Sequence, residues 1–281
     1  MPKALFIFLQ RLAPQHLLSR LAGALANSNN QTLKNFLVAN FIKAFNVDMS
    51  EALDSDYRNY PSFNDFFIRK LKAGARPIDS NPATLCCPAD GEVSQSGDIT
   101  EGKIFQAKGR EFDTGELLAD NESAKNFSRG KFCTIYLSPR DYHRVHMPMS
   151  GTLKTLRHIP GNLFSVNQTT SEEVDRLFAR NERAVFHFEG DAGDFIVVMV
   201  GAMIVASIET DWAGLLKAHS RDIFERDYRD AQLRFEKGDE LGRFKLGSTA
   251  IVLIPENCAQ WEESFRAGAK VKMGDVIGKL N

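Results

Sequence analysis

Cysteine is scarce: Cys86, Cys87, Cys133 and Cys258 are the only four in 281 residues. They form no CxxC pair, and no His/Cys cluster has zinc-ligand spacing, so no structural metal is expected. Adjacent Cys86 and Cys87 make a poor disulfide framework; reduced, buried thiols in a cytosol-facing protein are the simplest account. Long apolar runs are missing too. The longest, Phe195 to Ile208, is broken only by Ser207 and falls short of the ~20 residues a bilayer span needs. Its Val/Ile/Met content and Gly201 suit two buried strands joined by a tight turn. No secretory signal is expected, because the apolar segment Ala4 to Leu9 stops at Gln10 and Arg11 with no cleavage pattern behind it. Net charge is only −1, which leaves no global-charge case for nucleic-acid binding. Tyr (5) and Trp (2) are few beside 21 Phe, a skew that fits a greasy core or an apolar ligand.

Acidic residues are absent from positions 1–47; the first is Asp48. The same stretch holds Lys3, Arg11, Arg20, Lys34 and Lys43. Leu17, Leu21 and Leu25 share one helical face, and Leu33, Leu37 and Phe41 mark another helix. Apolar helices with only basic charges suit an interfacial membrane anchor, since anionic headgroups attract the cations while the stripe enters the acyl boundary. A helical hairpin packed on the body is the alternative, and the lack of acids favours the membrane. Ser62-Phe63-Asn64-Asp65 reads as a capping box opening a short helix through Phe66, Phe67, Ile68 and Leu71. From about residue 84 short apolar runs alternate with Gly and Asp turns, with one helix expected at Ser171 to Leu177. Gly238-Asp239-Glu240-Leu241-Gly242 echoes Gly274-Asp275-Val276-Ile277-Gly278, and this spacing resembles the turns of barrel-sandwich hybrid folds. No modifiable Lys sits at a hairpin tip, so a biotinyl or lipoyl carrier is not implied. The expected fold is α+β: a helical membrane-association region at 1–80 and a β-rich catalytic body at 81–281, resembling a barrel-sandwich hybrid.

Chemistry concentrates at Gly247-Ser248, just ahead of the apolar run Ala250 to Ile254. Gly permits the bend that brings the Ser hydroxyl to its own preceding carbonyl, so a base could shift the peptide to an ester. A plain polar turn is the alternative. The base could come from Ser138-Pro139-Arg140-Asp141-Tyr142-His143-Arg144-Val145-His146-Met147-Pro148, a polar loop behind the apolar segment Phe132 to Leu137. Their spacing would put His143 and His146 on one face of a helical turn. A metal pair or a salt-bridged loop is the alternative, and no third ligand is evident. His16 lies in the anchor, while His158, His187 and His219 suit surface or satisfied core positions. Asp90, in Cys87-Pro88-Ala89-Asp90-Gly91, could orient a base or simply make a turn.

Taken together, Pro88-Ala89-Asp90-Gly91, Leu137 to His146, Pro160-Gly161-Asn162-Leu163-Phe164-Ser165-Val166-Asn167 and Leu246-Gly247-Ser248-Thr249 resemble the phosphatidylserine decarboxylases in order and spacing. The block from Ser62 to Phe67 with Arg69, Arg76 and Pro77, and that from Leu177 to Arg183, extend the resemblance over essentially the whole chain. It is nearest to the membrane-associated proteobacterial type. The resemblance implies that Asp90, His146 and Ser248 form a charge relay for self-cleavage after Gly247, giving a large chain (1–247) and a small chain (248–281). It implies a covalent pyruvoyl group (pyruvate) made from Ser248, which forms a Schiff base with the substrate amine. It implies that His143 protonates the decarboxylated carbon and that Phe164, Ser165 and Asn167 line the substrate pocket. Substrate and product would be phosphatidylserine and phosphatidylethanolamine, handled by a homodimer of cleaved protomers peripheral to the cytoplasmic face of the inner membrane. Two other readings stand beside it: a serine hydrolase using Asp90, His146 and Ser248, which lacks a G-x-S-x-G elbow, and a non-enzymatic membrane-binding module, which leaves the 138–148 loop idle.

Overall fold

A computed structural model describes residues 3–203, 208–216, 222–245 and 248–281. Three helices open the chain: α1 (Lys3–Leu12), α2 (Gln15–Ala26) and α3 (Gln31–Phe45). Pro14 separates the first two, and the Asn30 side chain caps α3 by accepting from the Leu33 amide at 3.0 Å. The first two helices are inside out. α1 buries Ile7 and Gln10 and exposes Leu5, Phe8, Leu9 and Leu12; α2 buries Gln15, Ser19 and Ala26 and exposes Leu17, Leu18, Leu21 and Leu25. A helix of a water-soluble surface does the reverse. Of the cations expected to face headgroups, Lys34 does not: it is buried, and its ammonium donates to the Arg58 carbonyl at 2.7 Å. Lys3 pairs with Glu172 at 2.9 Å, while Arg11, Arg20 and Lys43 stay exposed.

Helix α4 (Phe63–Phe67) opens on the expected box, with Ser62 Oγ accepting from the Asp65 amide and donating to its carboxylate at 2.6 Å. It stops short of Leu71. The backbone there pairs instead with residues 51–53, Leu53 donating to the Lys70 carbonyl and Lys72 to that of Glu51. Ala26, Val38, Val47, Phe63, Phe66, Phe67 and Ile68 form an apolar cluster of their own.

The body begins with β1 (Thr84–Cys86), β2 (Gly91–Asp98), β3 (Lys103–Ala107), β4 (Arg110–Asp113), α5 (Thr114–Leu118), α6 (Asn121–Lys125), β5 (Lys131–Leu137), β6 (Arg144–His146) and β7 (Gly151–Ile159). Then come α7 (Gln168–Glu173), α8 (Leu177–Arg180), β8 (Arg183–Gly190), β9 (Gly193–Gly201), β10 (Ile208–Thr210), β11 (Gly214–Leu216) and β12 (Phe224–Asp227). The last strands are β13 (Arg234–Phe235), β14 (Glu240–Phe244), β15 (Ser248–Ile254), β16 (Ala259–Trp261), β17 (Lys270–Val271) and β18 (Val276–Leu280). Pairings between these strands are antiparallel. A nine-stranded sheet runs β12-β7-β8-β9-β15-β5-β2-β17, with β13 also on β7; β11-β10-β14-β6, β1-β18-β16 and β3-β4 form the others. Among the described residues no sheet closes into a barrel, so the architecture is α+β with antiparallel sheets and a helical N-terminus. Strand β15 lies between β9 and β5 and is buried throughout. Its alternate residues serve two cores, Ala250, Val252 and Ile254 one face and Ile251 and Leu253 the other, which is why the run is continuously apolar.

Two local expectations fail. The helix expected at Ser171 to Leu177 is split between α7 and α8, because the buried Gln106 amide donates to the Ser171 and Val174 carbonyls and accepts from the Leu177 amide. The run Phe195 to Ile208 is not one hairpin: β9 and β10 belong to different sheets, and residues 204–207 between them lie outside the described residues.

The Gly-Asp echo belongs to a larger repeat. β1 pairs with β18 through Thr84↔Lys279, Leu85↔Gly278 and Cys86↔Val276; β6 pairs with β14 through Arg144↔Arg243, Val145↔Gly242 and His146↔Glu240, with an irregularity at the same step. Gly274 donates to the Cys87 carbonyl and Cys87 to that of Asp275, just as Gly238 donates to Met147 and Met147 to Asp239. Leu280 donates to Ala83 as Phe244 does to His143. The two clasps are joined reciprocally, Cys86 donating to the Pro148 carbonyl and His146 to that of Pro88, at 2.9 and 2.8 Å.

Candidate active site

Ser248 begins β15, opposite Leu137 of β5 and Gly201 of β9. It is fully buried, and among the described residues its Oγ has no hydrogen-bond partner. A buried hydroxyl left unpaired costs about 1–3 kcal/mol, and such a cost is retained where function needs it. Leu137 leads into the 138–143 loop, which Asp141 folds by accepting from both the amide and the hydroxyl of Ser138 at 2.7 Å. Arg69, just beyond α4, braces the same loop by donating to the Arg140 carbonyl at 3.1 Å.

His143 and His146 do not share a helical turn. β6 is extended, so the two rings leave the chain differently. His143 is fully buried, with its ring centroid 3.9 Å from that of Phe67. Its Nδ1 bonds the Asp141 carbonyl at 2.8 Å; a carbonyl only accepts, so Nδ1 carries the proton and Nε2 is bare. Nε2 has no partner among the described residues. Burial, with the Arg69 charge adding to it, drives the His143 pKa down to about 3, so the ring is neutral. His146 repeats the pattern with other partners. Its Nδ1 donates to the Gly238 carbonyl at 2.7 Å and its Nε2 accepts from the Tyr142 hydroxyl at 3.1 Å. Burial lowers its pKa; the Gly238 bond and the charges of Glu240 and Asp90 oppose that shift.

Asp90 is therefore near His146 but not bonded to it. Its carboxylate is held by Arg76 at 2.9 and 2.5 Å and by the Met273 amide at 2.8 Å. Arg76 also reaches Glu51 at 2.8 Å, and that bond, with a second from Lys272, brings the Glu51 pKa down to about 2. Gly247 and Leu246 lie outside the described residues, as does His219. His158 and His187 take carboxylate partners, Glu182 at 3.2 Å and Asp194 at 2.9 Å.

Residues 63–279 match the family model described as Phosphatidylserine decarboxylase, and residues 5–46 match a second, described as PSD. The chain belongs to the phosphatidylserine decarboxylase family. The phosphatidylserine decarboxylase proenzyme of Ectopseudomonas mendocina (strain ymp) is 54% identical to it over 283 residues, covering 99% of each chain. That of Pseudomonas fluorescens (strain Pf0-1) is 52% identical over 285 residues and 100% of each chain. That of Marinobacter nauticus is 50% identical over 280 residues, 99% of this chain and 98% of the relative.

In this phosphatidylserine decarboxylase family member the 163–167 loop reaches Ser248 through Asn181. Asn181 bonds both backbone groups of Phe164, at 3.2 and 2.8 Å, and donates to the Gly201 carbonyl at 2.9 Å, opposite Ser248. The Phe164 ring is buried, with the Arg180 guanidinium 5.3 Å from its centroid. Ser165 is half-buried, and Asn167 caps α7 by accepting from the Thr170 amide. Sequence reasoning missed the roles of Arg76, Tyr142 and Gly238, although the first two lie inside the blocks that carry the family resemblance.

Proposed function

We propose that the protein converts phosphatidylserine to phosphatidylethanolamine with a pyruvoyl group made from Ser248. The observation that carries this reading is the buried Ser248 hydroxyl, without a hydrogen-bond partner among the described residues, at the head of β15 opposite Leu137, from which the chain runs on to His143 and His146. A hydroxyl with no exposed surface is poorly placed for an external ester, which counts against a serine hydrolase, but the carbonyl of its own neighbour Gly247 is one residue away. His146 takes the Ser248 proton at Nε2, once the Tyr142 hydroxyl has moved aside. Ser248 Oγ then attacks the Gly247 carbonyl carbon, and the amide C–N bond breaks to leave an ester and a free amine. Loss of the Cα proton of residue 248 expels the Gly247 carboxylate, and water replaces the nitrogen, which leaves as ammonia. The products are chains 1–247 and 248–281. The Gly238 carbonyl fixes the His146 tautomer, and the Asp90 charge favours the imidazolium through space.

The ketone so formed supplies the electron sink that ordinary side chains lack for the carbanion left by loss of CO₂. Its fit here rests on a small, buried, otherwise unused oxygen at the end of the central strand. His143, with a bare Nε2, carries the proton for the substrate carbon; it is neutral at rest and gains its proton when an anionic substrate is bound. Phe164, Ser165 and Asn167 form the substrate loop.

The outward leucines of α1 and α2 support peripheral binding to a membrane, which the family resemblance would put at the cytoplasmic face of the inner membrane; no described helix is long and apolar enough to cross. The separate apolar cluster around Phe66 supports a division into 1–80 and 81–281, although Ile7 of α1 packs into the body. The paired clasps support the likeness to a barrel-sandwich hybrid. A homodimer of cleaved protomers would have an available edge in β12, where Phe224 is exposed, as is Ile223 just before it. A denaturing mass spectrum tests the central reading. Two chains divided after Gly247 are expected, the smaller lacking a free amine, with Ser248→Ala remaining intact and inactive. An intact 31.4 kDa wild-type chain that still decarboxylates phosphatidylserine would sink it.

A further inference from the structure

Gln10 and Gln15 are the exceptions in two leucine-rich helices, and both point inward, 4% and 9% exposed. Gln10 donates from Nε2 to Ser165 Oγ at 3.0 Å and accepts at Oε1 from the Ser165 amide at 2.9 Å. Gln15 accepts at Oε1 from the Leu163 amide at 2.7 Å and donates from Nε2 to the Gln10 carbonyl at 2.9 Å. Both ends of both amides are therefore used, three of the four bonds reaching a loop about 150 residues away in sequence and the fourth tying Gln15 to Gln10. A helix that needed only to attach would bury apolar side chains here, because a buried amide is costly unless each polar end is bonded. Other contacts hold the same arrangement. Ile7 enters the core cluster that also contains Phe164 and Val166, and Lys3 pairs with Glu172 of α7, just beyond the loop.

We propose that Gln10 and Gln15 are positioning residues, which hold the 163–167 loop in its substrate-receiving shape and couple that shape to the helices resting on the bilayer. The inference rests on the reading of this loop as the substrate loop. Physically the path is short. Gln10 and Gln15 fix the amides of Ser165 and Leu163 from the membrane side, Asn181 fixes Phe164 between them from the body side, and Asn181 also holds the Gly201 carbonyl opposite Ser248. The helices are thus part of the pocket wall and not only an anchor. Removing the glutamines should impair headgroup binding even when no membrane is present.

The test uses the full-length, processed enzyme carrying Gln10→Met and Gln15→Met, which keep side-chain length and lose the bonds. The substrate is dihexanoyl phosphatidylserine below its micelle threshold, so that anchoring cannot matter. KM is expected to rise about tenfold while kcat stays within about twofold, the scale of two or three lost hydrogen bonds. Binding to phosphatidylserine vesicles should be unchanged, since the outward leucines remain, and amide exchange at Leu163 and Ser165 should quicken. An unchanged KM, or a kcat that falls with thermal stability while KM holds, would overturn the proposal in favour of a purely structural role. The underlying reading is checked separately with Ser165→Cys: dihexanoyl phosphatidylethanolamine should protect that thiol from alkylation, followed by mass spectrometry of its peptide. Protection with an unchanged KM in the glutamine variant overturns the coupling alone. Absence of protection overturns the loop's role in the pocket, and the coupling with it.

Discussion

The clasp built on β1 and β18 and the clasp built on β6 and β14 make the same backbone hydrogen bonds, yet the chemistry is divided unequally between them. His143 stands where the first clasp has Ala83, and His146 where it has Cys86. Asp90 stands where the second clasp has Ser150: the Met273 amide donates to Asp90 and the Lys237 amide to Ser150 at matching points. One clasp thus supplies both imidazoles and the other the carboxylate. The exchange of bonds at Cys86–Pro148 and His146–Pro88 brings these elements together. On the proposed mechanism, backbone sameness provides the frame and the side-chain differences provide the reactivity.

Alanine at matched positions tests this division of labour most severely. His146→Ala should nearly abolish self-cleavage, since a positioned base contributes ~10²–10⁴ in rate. Cys86→Ala, at the equivalent site, should be processed at the wild-type rate. Time courses on denaturing gels decide this, and equal slowing of both would mean that His146 acts only through packing. The next pair is Asp90→Ala and Ser150→Ala. Asp90 pairs with Arg76 at side-chain exposures of 10% and 6%, and removing one partner of such a pair costs about 3–5 kcal/mol. Ser150 accepts from Lys237 and donates to Glu236, a partly exposed arrangement whose loss should cost about 1 kcal/mol. Urea unfolding of the uncleaved Ser248→Ala background measures both without interference from processing.

Half of this repeat could be read in the sequence. Gly238-Asp239 and Gly274-Asp275 advertise themselves because both turns need a glycine at positive φ, 89° and 92°. Their partner segments, Cys87-Pro88-Ala89-Asp90-Gly91 and Met147-Pro148-Met149-Ser150-Gly151, share only Pro and Gly, since the other side chains do different work. Strand β15 was legible from the continuous apolar run Ala250 to Ile254, because both its faces are buried, and β5 as a mostly apolar run. The expected helical turn at His143 and His146 was not realised, because three-residue spacing says nothing about whether a tertiary partner such as β14 pulls the chain extended. Gln10 and Gln15 gave no signal: periodicity finds an apolar stripe but not which way it faces. Gln106 likewise ended a helix through bonds made across the fold. The resemblance named the relay residues, while the hydrogen bond Gly238 makes to His146, and Arg76 to Asp90, depend on contacts distant in sequence.

The pH response should separate the clasps next. The His143 pKa in the folded protein, about 3, lies below its ordinary 6.5. The unfolded chain therefore binds a proton first as pH falls, so the stabilising difference is complete above about 6.5 and is lost on acidification towards 3. Stability should fall by about 3 kcal/mol between pH 7 and pH 4 from this group alone. His143→Gln, which keeps a donor for the Asp141 carbonyl, should flatten that part of the curve. Ala83 gives the first clasp no such dependence. An unaltered slope in the variant would show that the acid response comes from elsewhere.

The smallest effect distinguishes frame from chemistry most directly. A Cβ added at Gly274 would lie 2.5 Å from the Pro77 carbonyl oxygen, whereas one at Gly238 would lie 2.8 Å from a side-chain carbon of Ile78. Backbone yields less readily than a side chain, so Gly274→Ala should cost about 2 kcal/mol and Gly238→Ala about 1 kcal/mol, the positive φ contributing to both. Processing should rank them the other way. Only the Gly238 carbonyl holds a histidine, and a shift there tilts the His146 ring and its Nε2 lone pair. Gly238→Ala should therefore slow self-cleavage more than Gly274→Ala while destabilising the fold less. If the two losses instead run in parallel, the carbonyl is only part of the frame, and the tautomer of His146 is set by something other than the clasp.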